Sequence, residues 1–321
     1  MSPRSEAWRT VRVNAGGVSL SVLALALVMA WPSAASAQKA GAPIPKTAPD
    51  APTTGAAAQT ALPQGMTMAP HRAVYEISLA ESRGGGGVSD LSGRMVYELT
   101  GSVCQGYTQT MRFVTRMTSQ DGSTSVTDMR SSSWEDALAK AFRFNSSQYK
   151  DTKLEETTDG DAARSGPKGE VKVEISKPRK KALNLRGNTF FPVQHSMALL
   201  TAAQNGDQIF IADLYDGSEK GEKVYATSSF IGRAKPAGFN STLVKLPSAE
   251  PLDKLRSWPV SISYFEQGAD GGRKGEQTPV YSVGFELYEN GISRALMLDY
   301  TDFAISGEMT SIEIKNAKPC P

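Results

Sequence analysis

Few residues of this chain have the types and spacing that chemistry requires. The two histidines, His71 and His195, have no His, Cys, Asp or Glu partner at the spacing of metal ligands. No G-x-S-x-G segment offers a nucleophilic serine. The glycines at 84–87 lie between strand-like segments, without the helix that follows a phosphate-binding loop. The sequence therefore predicts no catalytic residue, no cofactor and no metal ligand.

Charged side chains offer two weaker candidates for a site. Asp213 with Asp216, and Glu286 with Glu289, fall near the ends of predicted strands. Any antiparallel sheet exposes such carboxylates, so an acid pair of the glycosidase type is not favoured. A basic cluster in "SKPRKKALNLRG" is interpreted as a solvated turn, and contact with anionic lipid head groups or polyanionic envelope polymers is the alternative. The cluster consists of Lys177, Arg179, Lys180 and Lys181.

The N-terminus reads as an export signal. Three arginines precede an uncharged apolar run at 18–30, and Ala35-Ser36-Ala37 matches the small-x-small pattern of signal peptidase sites. The run is shorter than the ~20 apolar residues that span a bilayer comfortably, although an uncleaved anchor is the alternative. We therefore expect a signal peptide over 1–37, cleavage after Ala37, and a periplasmic protein.

The segment that follows, 38–69, is predicted to be a disordered linker, because Ala, Pro, Thr and Gly offer little apolar area to bury. A single folded domain over 70–321 is predicted beyond it, which is long enough for a sizeable core. Cleavage would leave 32 basic and 32 acidic residues of the 35 and 33 in the full chain. That balance argues against a nucleic-acid partner.

The chain has two cysteines, Cys104 and Cys320. In an oxidising compartment they allow one intramolecular pairing. A Cys104–Cys320 disulfide would hold a C-terminus that otherwise frays, and two unpaired thiols are the alternative. Because there is no C-x-x-C motif, a redox-active dithiol is not favoured.

Most of the folded part shows the strand-and-turn pattern of an antiparallel meander. Apolar residues alternate over 71–82, as they do in a strand with one buried face. Asp-Gly at 121–122 and Asn-Gly at 290–291 favour tight hairpin turns, the second of type I′. Ser-Gly at 306–307 suggests another turn before the last strand. The polar segment 151–169 is interpreted as a turn region.

One segment, 192–204, is predicted to be helical. A proline suits its first turn and an Asn-Gly pair suits its end. Its apolar face is expected to fill the concave side of a curved sheet. That face is formed by Val193, Met197, Leu200 and Ala203. His195 is interpreted as a helix-end or groove-lining imidazole. The candidate groove or partner contacts are His195, Met197, Lys180 and Lys181.

Several blocks resemble the EipB family of periplasmic cell-envelope integrity proteins. They are "HRAVYEISL", "SGRMVYELTGSVCQGYTQTMRFVTR", "FPVQHSMALLTAAQNGD" and "LYENGISRALMLDYTDFAISG". The resemblance implies an all-β, mainly antiparallel fold: a broken, spiral-like or barrel-like sheet with one or two short helices. It also implies a disulfide between an early and a terminal cysteine, here Cys104 and Cys320. No enzymatic reaction is attached to the family.

The sequence leaves two candidate functions. The first is a non-enzymatic periplasmic protein that maintains Gram-negative cell-envelope integrity by binding an envelope protein or lipid. The second is a periplasmic lipid or lipoprotein carrier with an apolar groove on the concave face of the sheet. Periplasmic or outer-membrane proteins or lipids are the expected partners, and the oligomeric state stays open. A hydrolase would need a clustered acid and base that the sequence does not offer.

Overall fold

A computed structural model of the chain describes residues 67–83, 87–166, 169–239, 246–267 and 278–317. The predicted signal peptide, nearly all of the predicted linker, and Cys320 lie outside the described residues. The predictions about these segments therefore stay predictions.

Fifteen β-strands and two α-helices make up the regular structure of the described residues. The strands are β1 His71–Ser82, β2 Val88–Ser102, β3 Gly106–Ser119, β4 Thr124–Glu135, β5 Ala141–Lys150, β6 Lys153–Arg164, β7 Val171–Lys177, β8 Lys181–Leu185, β9 Thr189–Phe190, β10 Ile209–Leu214, β11 Tyr225–Ile231, β12 Ser257–Glu266, β13 Tyr281–Tyr288, β14 Ser293–Tyr300 and β15 Phe303–Ile314. The helices are α1 Pro192–Asn205 and α2 Glu250–Asp253. Single 3-10 turns occur at Glu219–Gly221 and Pro247–Ala249.

All these strands belong to one sheet. Its order runs β8-β7-β6-β5-β4-β3-β2-β1-β15-β14-β13-β12-β11-β10-β9, so β1 and β15 pair in the middle and the ends are β8 and β9. Every pairing is antiparallel except β9 with β10. The sheet is barrel-like and nearly closed, with one seam. The predicted all-β, mainly antiparallel, barrel-like fold with short helices is confirmed.

The segment interpreted as a polar turn region contains a strand, so that interpretation was wrong. β6 covers Lys153–Arg164 and pairs along its length with β5. Its inward positions carry small or polar residues such as Glu156, Thr158 and Ala162, all buried. A polar inner face removes the apolar alternation by which strands are recognised.

Near the C-terminus, the turn predicted at 306–307 was wrong, whereas the hairpin predicted at 290–291 is present but is not of type I′. Gly307 lies inside β15 and pairs with Ile77 and Leu296. A Cβ there would lie 3.1 Å from Leu296, so this glycine serves close packing. Between β13 and β14, the Gly291 N–H donates to the Tyr288 carbonyl at 2.8 Å. Gly291 has a φ of 84° whereas Asn290 keeps a negative φ, which excludes type I′.

The predicted helix is confirmed as α1, Pro192–Asn205, which is followed by Gly206 in the left-handed region. Val193, Met197, Leu200 and Ala203 are all buried in the main core of the sheet, as expected for a helix that fills the concave side. A second, smaller core lies under β5 to β7. Its members are Ala139, Phe142, Phe144, Ala162, Val171, Val173, Ile175, Phe191 and Tyr215. No helix of the described chain is long and apolar enough to cross a membrane.

The packed chain begins before the predicted domain boundary. Met68 is buried in the main core, and the Ala69 N–H donates to the Asn290 carbonyl at 2.9 Å. The Met68 N–H donates to the Tyr107 hydroxyl at 3.3 Å. These last two residues of the predicted linker are therefore anchored to β3 and to the β13–β14 turn.

Candidate ligand-binding cavity

A cavity of about 180 Å³ lies between α1 and the inner faces of two parts of the sheet. The strands β1 to β3 form one wall, and β12 to β14 form the opposite wall. An engineered apolar cavity of about 150 Å³ is large enough to hold benzene. The cavity can therefore take an apolar group of at least that size.

Helix α1 is buried on two faces, and one of them lines the cavity. Pro192, His195, Ser196 and Leu199 follow the i, i+3, i+4, i+7 spacing of one helix face and border the cavity. The predicted apolar face, which includes Met197, packs into the core and contributes no residue to the lining. The sequence pattern thus identified the helix, while the cavity lies against its other face.

The carboxyl group of a sheet residue holds the start of α1. The helix begins after Phe191, which has no side-chain acceptor for the first free N–H groups. Glu135, at the end of β4, accepts hydrogen bonds from Val193 N at 2.7 Å and Gln194 N at 2.8 Å. Glu135 is 2% exposed, and burial raises its pKa to about 8, against the opposing effect of these two donors.

The cavity lining is mostly apolar. Apolar residues come from both walls and from the helix, and no Lys, Arg, Asp or Glu of the described chain borders the cavity. The apolar residues are Met68, Met95, Met111, Pro192, Leu199, Leu214, Ile262, Val283, Phe285, Leu287 and Leu296. Such a lining favours an apolar ligand or an apolar part of one.

A polar cluster on β1 to β3 interrupts this lining. The Gln109 Nε2 donates to the Tyr97 hydroxyl at 2.8 Å, and the Tyr97 ring lies 5.5 Å from the His71 ring. His71 Nδ1 donates to the Ala69 carbonyl at 2.7 Å, which leaves Nε2 as the acceptor nitrogen of the neutral ring. Burial lowers the pKa of His71 and raises that of Tyr97 to about 12, so both groups are uncharged at neutral pH.

His195 lies at another side of the same cavity. Its Nε2 is 3.1 Å from the Thr227 hydroxyl, which itself donates to the Ala212 carbonyl at 2.9 Å. Nε2 therefore donates to Thr227. Burial lowers the pKa of His195 to about 4, so the ring is neutral. His195 lines a cavity, as one interpretation of the sequence held, although its role in ligand or partner contact stays a prediction.

The basic cluster lies away from this cavity. Lys180 is exposed in the turn between β7 and β8. Lys181 and Arg179 both form ion pairs with Glu222, at 2.5 and 3.2 Å. Part of the positive charge of the cluster is thus neutralised within the protein. Contact between Lys180 or Lys181 and a partner stays a prediction.

Three of the four carboxylates that the sequence singled out have separate partners. Glu286 forms an ion pair with Lys235 at 2.6 Å, whereas Glu289 pairs with Arg256 at 2.9 Å. Asp216 accepts a hydrogen bond from the Ser218 N–H at 2.8 Å, which holds a turn. Among the described residues, no group of three or more His, Cys, Asp or Glu side chains could hold a metal ion.

Sequence analysis missed Gln109, Tyr97 and Glu135. A signal for Gln109 was present, because it lies in phase with Tyr107, Met111 and other inward residues of β3. A polar residue at an inward-facing position of a strand indicates either a buried hydrogen bond or a ligand-binding site. Glu135 gave no such signal, because an acidic residue at a strand end resembles a surface residue.

Comparison with known proteins gives consistent matches over most of the chain. The family model described as EipB-like matches residues 63–316. The "Cell envelope integrity protein EipB" of Brucella abortus (strain 2308) is 35% identical over 270 residues, which cover 83% of this chain and 92% of that protein. A crystal structure of a "Beta-barrel-like Protein of Domain of Unknown Function DUF1849" from Brucella abortus matches with a TM-score of 0.69 and 34% identity. It covers 78% of this chain and 99% of that one.

Proposed function

Because the chain belongs to the EipB-like family, we propose that it maintains the integrity of the Gram-negative cell envelope as a non-enzymatic periplasmic protein. The observation that carries this proposal is the 35% identity, over nearly the whole length, to a protein named for cell envelope integrity. The export signal predicted at the N-terminus supports the same compartment. The ion pairs that engage Glu286 and Glu289 support a role without acid–base catalysis.

The proposed action is binding of an envelope lipid or protein, and the cavity favours a lipid. A cavity of about 180 Å³ beside a buried helix, with a mostly apolar lining that is uncharged among the described residues, suits an apolar group that must be shielded from water. A carrier of lipids or lipoproteins is the second candidate function, and it uses the same cavity. The two differ in whether the ligand is retained or passed on.

Deletion of the gene tests the envelope role. Cells that lack the protein should become sensitive to detergent and to antibiotics that act on the cell wall. Unchanged resistance would overturn the role. Native mass spectrometry of the protein purified from periplasm tests the binding, with a bound lipid as the expected result.

Rescue of the deletion by variants of α1 connects the role to the cavity. Ser196→Leu adds a bulky side chain to the cavity lining, whereas Gln204→Leu adds the same side chain at the exposed end of the helix. We expect Gln204→Leu to restore resistance and Ser196→Leu to fail while retaining its melting temperature. Full rescue by Ser196→Leu would show that envelope integrity does not depend on the cavity.

A further inference from the structure

One polar atom in the cavity lining lacks a partner. The Gln109 side chain is 6% exposed, and its Oε1 makes no hydrogen bond within the described structure, while its Nε2 is engaged by Tyr97. Buried amide oxygens are nearly always paired, because an unpaired one has lost its hydrogen bonds to water without replacement. An acceptor of this kind, in the wall of an otherwise apolar cavity, indicates where a ligand would supply a donor.

A second acceptor belongs to the same polar cluster. His71 is 3% exposed and lines the cavity, and its Nδ1 is used by the Ala69 carbonyl. The neutral ring therefore has Nε2 as an acceptor. Gln109 on β3 and Tyr97 on β2 form a cross-strand hydrogen bond, which holds the amide group at the cavity wall. A ligand hydroxyl would also suit the opposite orientation of the Gln109 amide, because a hydroxyl can both donate and accept a hydrogen bond.

The described part of the lining provides no counter-charge for an anion. Among the described residues, the lining contains no Lys, Arg, Asp or Glu, and both of its histidines are uncharged at neutral pH because burial lowers their pKa. A carboxylate or phosphate would lose its hydration there without a cation to replace it. The cavity therefore discriminates against charged head groups.

We propose that this cavity binds the hydroxyl-bearing part of a neutral amphiphile, with the Gln109 carbonyl oxygen accepting the hydroxyl proton and the apolar lining covering the adjoining hydrocarbon. The proposal rests on the proposed function, because it assumes that the cavity holds an apolar ligand. It adds the chemical class of that ligand: an uncharged chain with a hydroxyl group.

Calorimetric titration with three linear probes of similar chain length tests the proposal. 1-Octanol offers a donor, methyl octyl ether offers only an acceptor, and octanoate carries a charge. The wild-type full chain should bind 1-octanol about three- to tenfold more tightly than the ether, which is the range of one net hydrogen bond. Octanoate should bind more weakly than both.

The variant Gln109→Leu tests whether Gln109 causes the preference for 1-octanol over the ether. The variant should bind 1-octanol and the ether within twofold of each other and should keep its affinity for the ether. Gln105→Leu, the same substitution at an exposed position in the β2–β3 turn, should behave as the wild type. Melting curves of both variants check the fold, and the wild-type probe series remains decisive if Gln109→Leu is unstable.

Different outcomes would contradict the proposed use of the cavity and the proposed ligand class. Absence of binding by every probe would overturn the proposed use of the cavity. Equal affinity of the wild type for alcohol and ether, or tighter binding of octanoate, would overturn the ligand class alone. A hydroxyl preference that persists in Gln109→Leu would overturn the assignment to Gln109.

Discussion

Replacing Glu135 by Gln tests which of two opposing effects controls the charge of a buried carboxyl. Burial disfavours the carboxylate, whereas the N–H groups of Val193 and Gln194, at the start of α1, favour it. Arg164 adds a weaker favourable charge, and its own guanidinium donates to backbone carbonyls such as Thr189 O at 2.6 Å. The net result is a pKa of Glu135 raised from 4.5 to about 8.

The sign of the pH effect follows from that raised pKa. Between about pH 4.5 and pH 8 the folded protein holds a proton on Glu135 that the unfolded chain releases. The free energy of unfolding therefore falls as the pH rises through this window and levels off above it. At 1.36 kcal/mol per pKa unit, the two pKa values set a ceiling of about 5 kcal/mol, of which about 3.5 kcal/mol is lost between pH 5 and pH 8.

Urea unfolding of the wild type and of Glu135→Gln at both pH values measures this loss. Because Gln does not titrate, the wild type should lose up to about 3.5 kcal/mol relative to the variant between pH 5 and pH 8. Glu308→Gln, at an exposed position of β15, controls for the loss of one carboxylate. A difference that is the same at both pH values would refute the reasoning. It would mean that Glu135 stays ionised and that the helix N–H donors outweigh burial.

Two further predictions concern a turn and the disulfide. Gly291→Ala should lower the free energy of unfolding by about 1 kcal/mol more than Gly122→Ala. Both glycines have φ above 80°, but only at Gly291 would the new Cβ lie 2.3 Å from Met68 Sδ, so the flexible Met68 side chain would have to move. Chemical denaturation of both variants measures this, and equal losses would contradict the contact. Cys104 and Cys320 should form a disulfide that contributes about 5 kcal/mol at most. Peptide mapping without reductant should find them linked, and two free thiols would refute the pairing.

The sequence was most informative where structure is local. Helix α1 was predicted to within one residue, because a proline, a 3.6-residue apolar period and an Asn-Gly end agree over 192–206. The hairpin at 121–122 was predicted equally well, since β3 ends at Ser119 and β4 begins at Thr124. Such signals involve residues within one turn or one strand, which a single sequence displays directly.

The pairing that joins the two halves of the sheet could not be derived from local patterns. β1 pairs with β15 along nearly its whole length, although almost the entire folded chain separates them. The resemblance to a known family implied a barrel-like sheet, but neither it nor strand periodicity predicted this pairing. β6 escaped detection for a different reason, because its buried face is polar and small, as at Thr158 and Ala162. A period of two is visible only when the two faces differ in polarity.

Glu135 and Gln109 show how an inward polar residue should be interpreted once a structure is known. They lie on adjacent strands, where Gln109 is paired with Ser133 and Glu135 with Tyr107. Both are buried, and a buried polar group is destabilising unless its hydrogen bonds are replaced. Glu135 has two backbone donors, so its presence is explained by the start of α1. Gln109 has a partner for its nitrogen and none among the described residues for its oxygen. Because Gln109 borders a cavity and not only packed side chains, a ligand is the expected source of the missing donor.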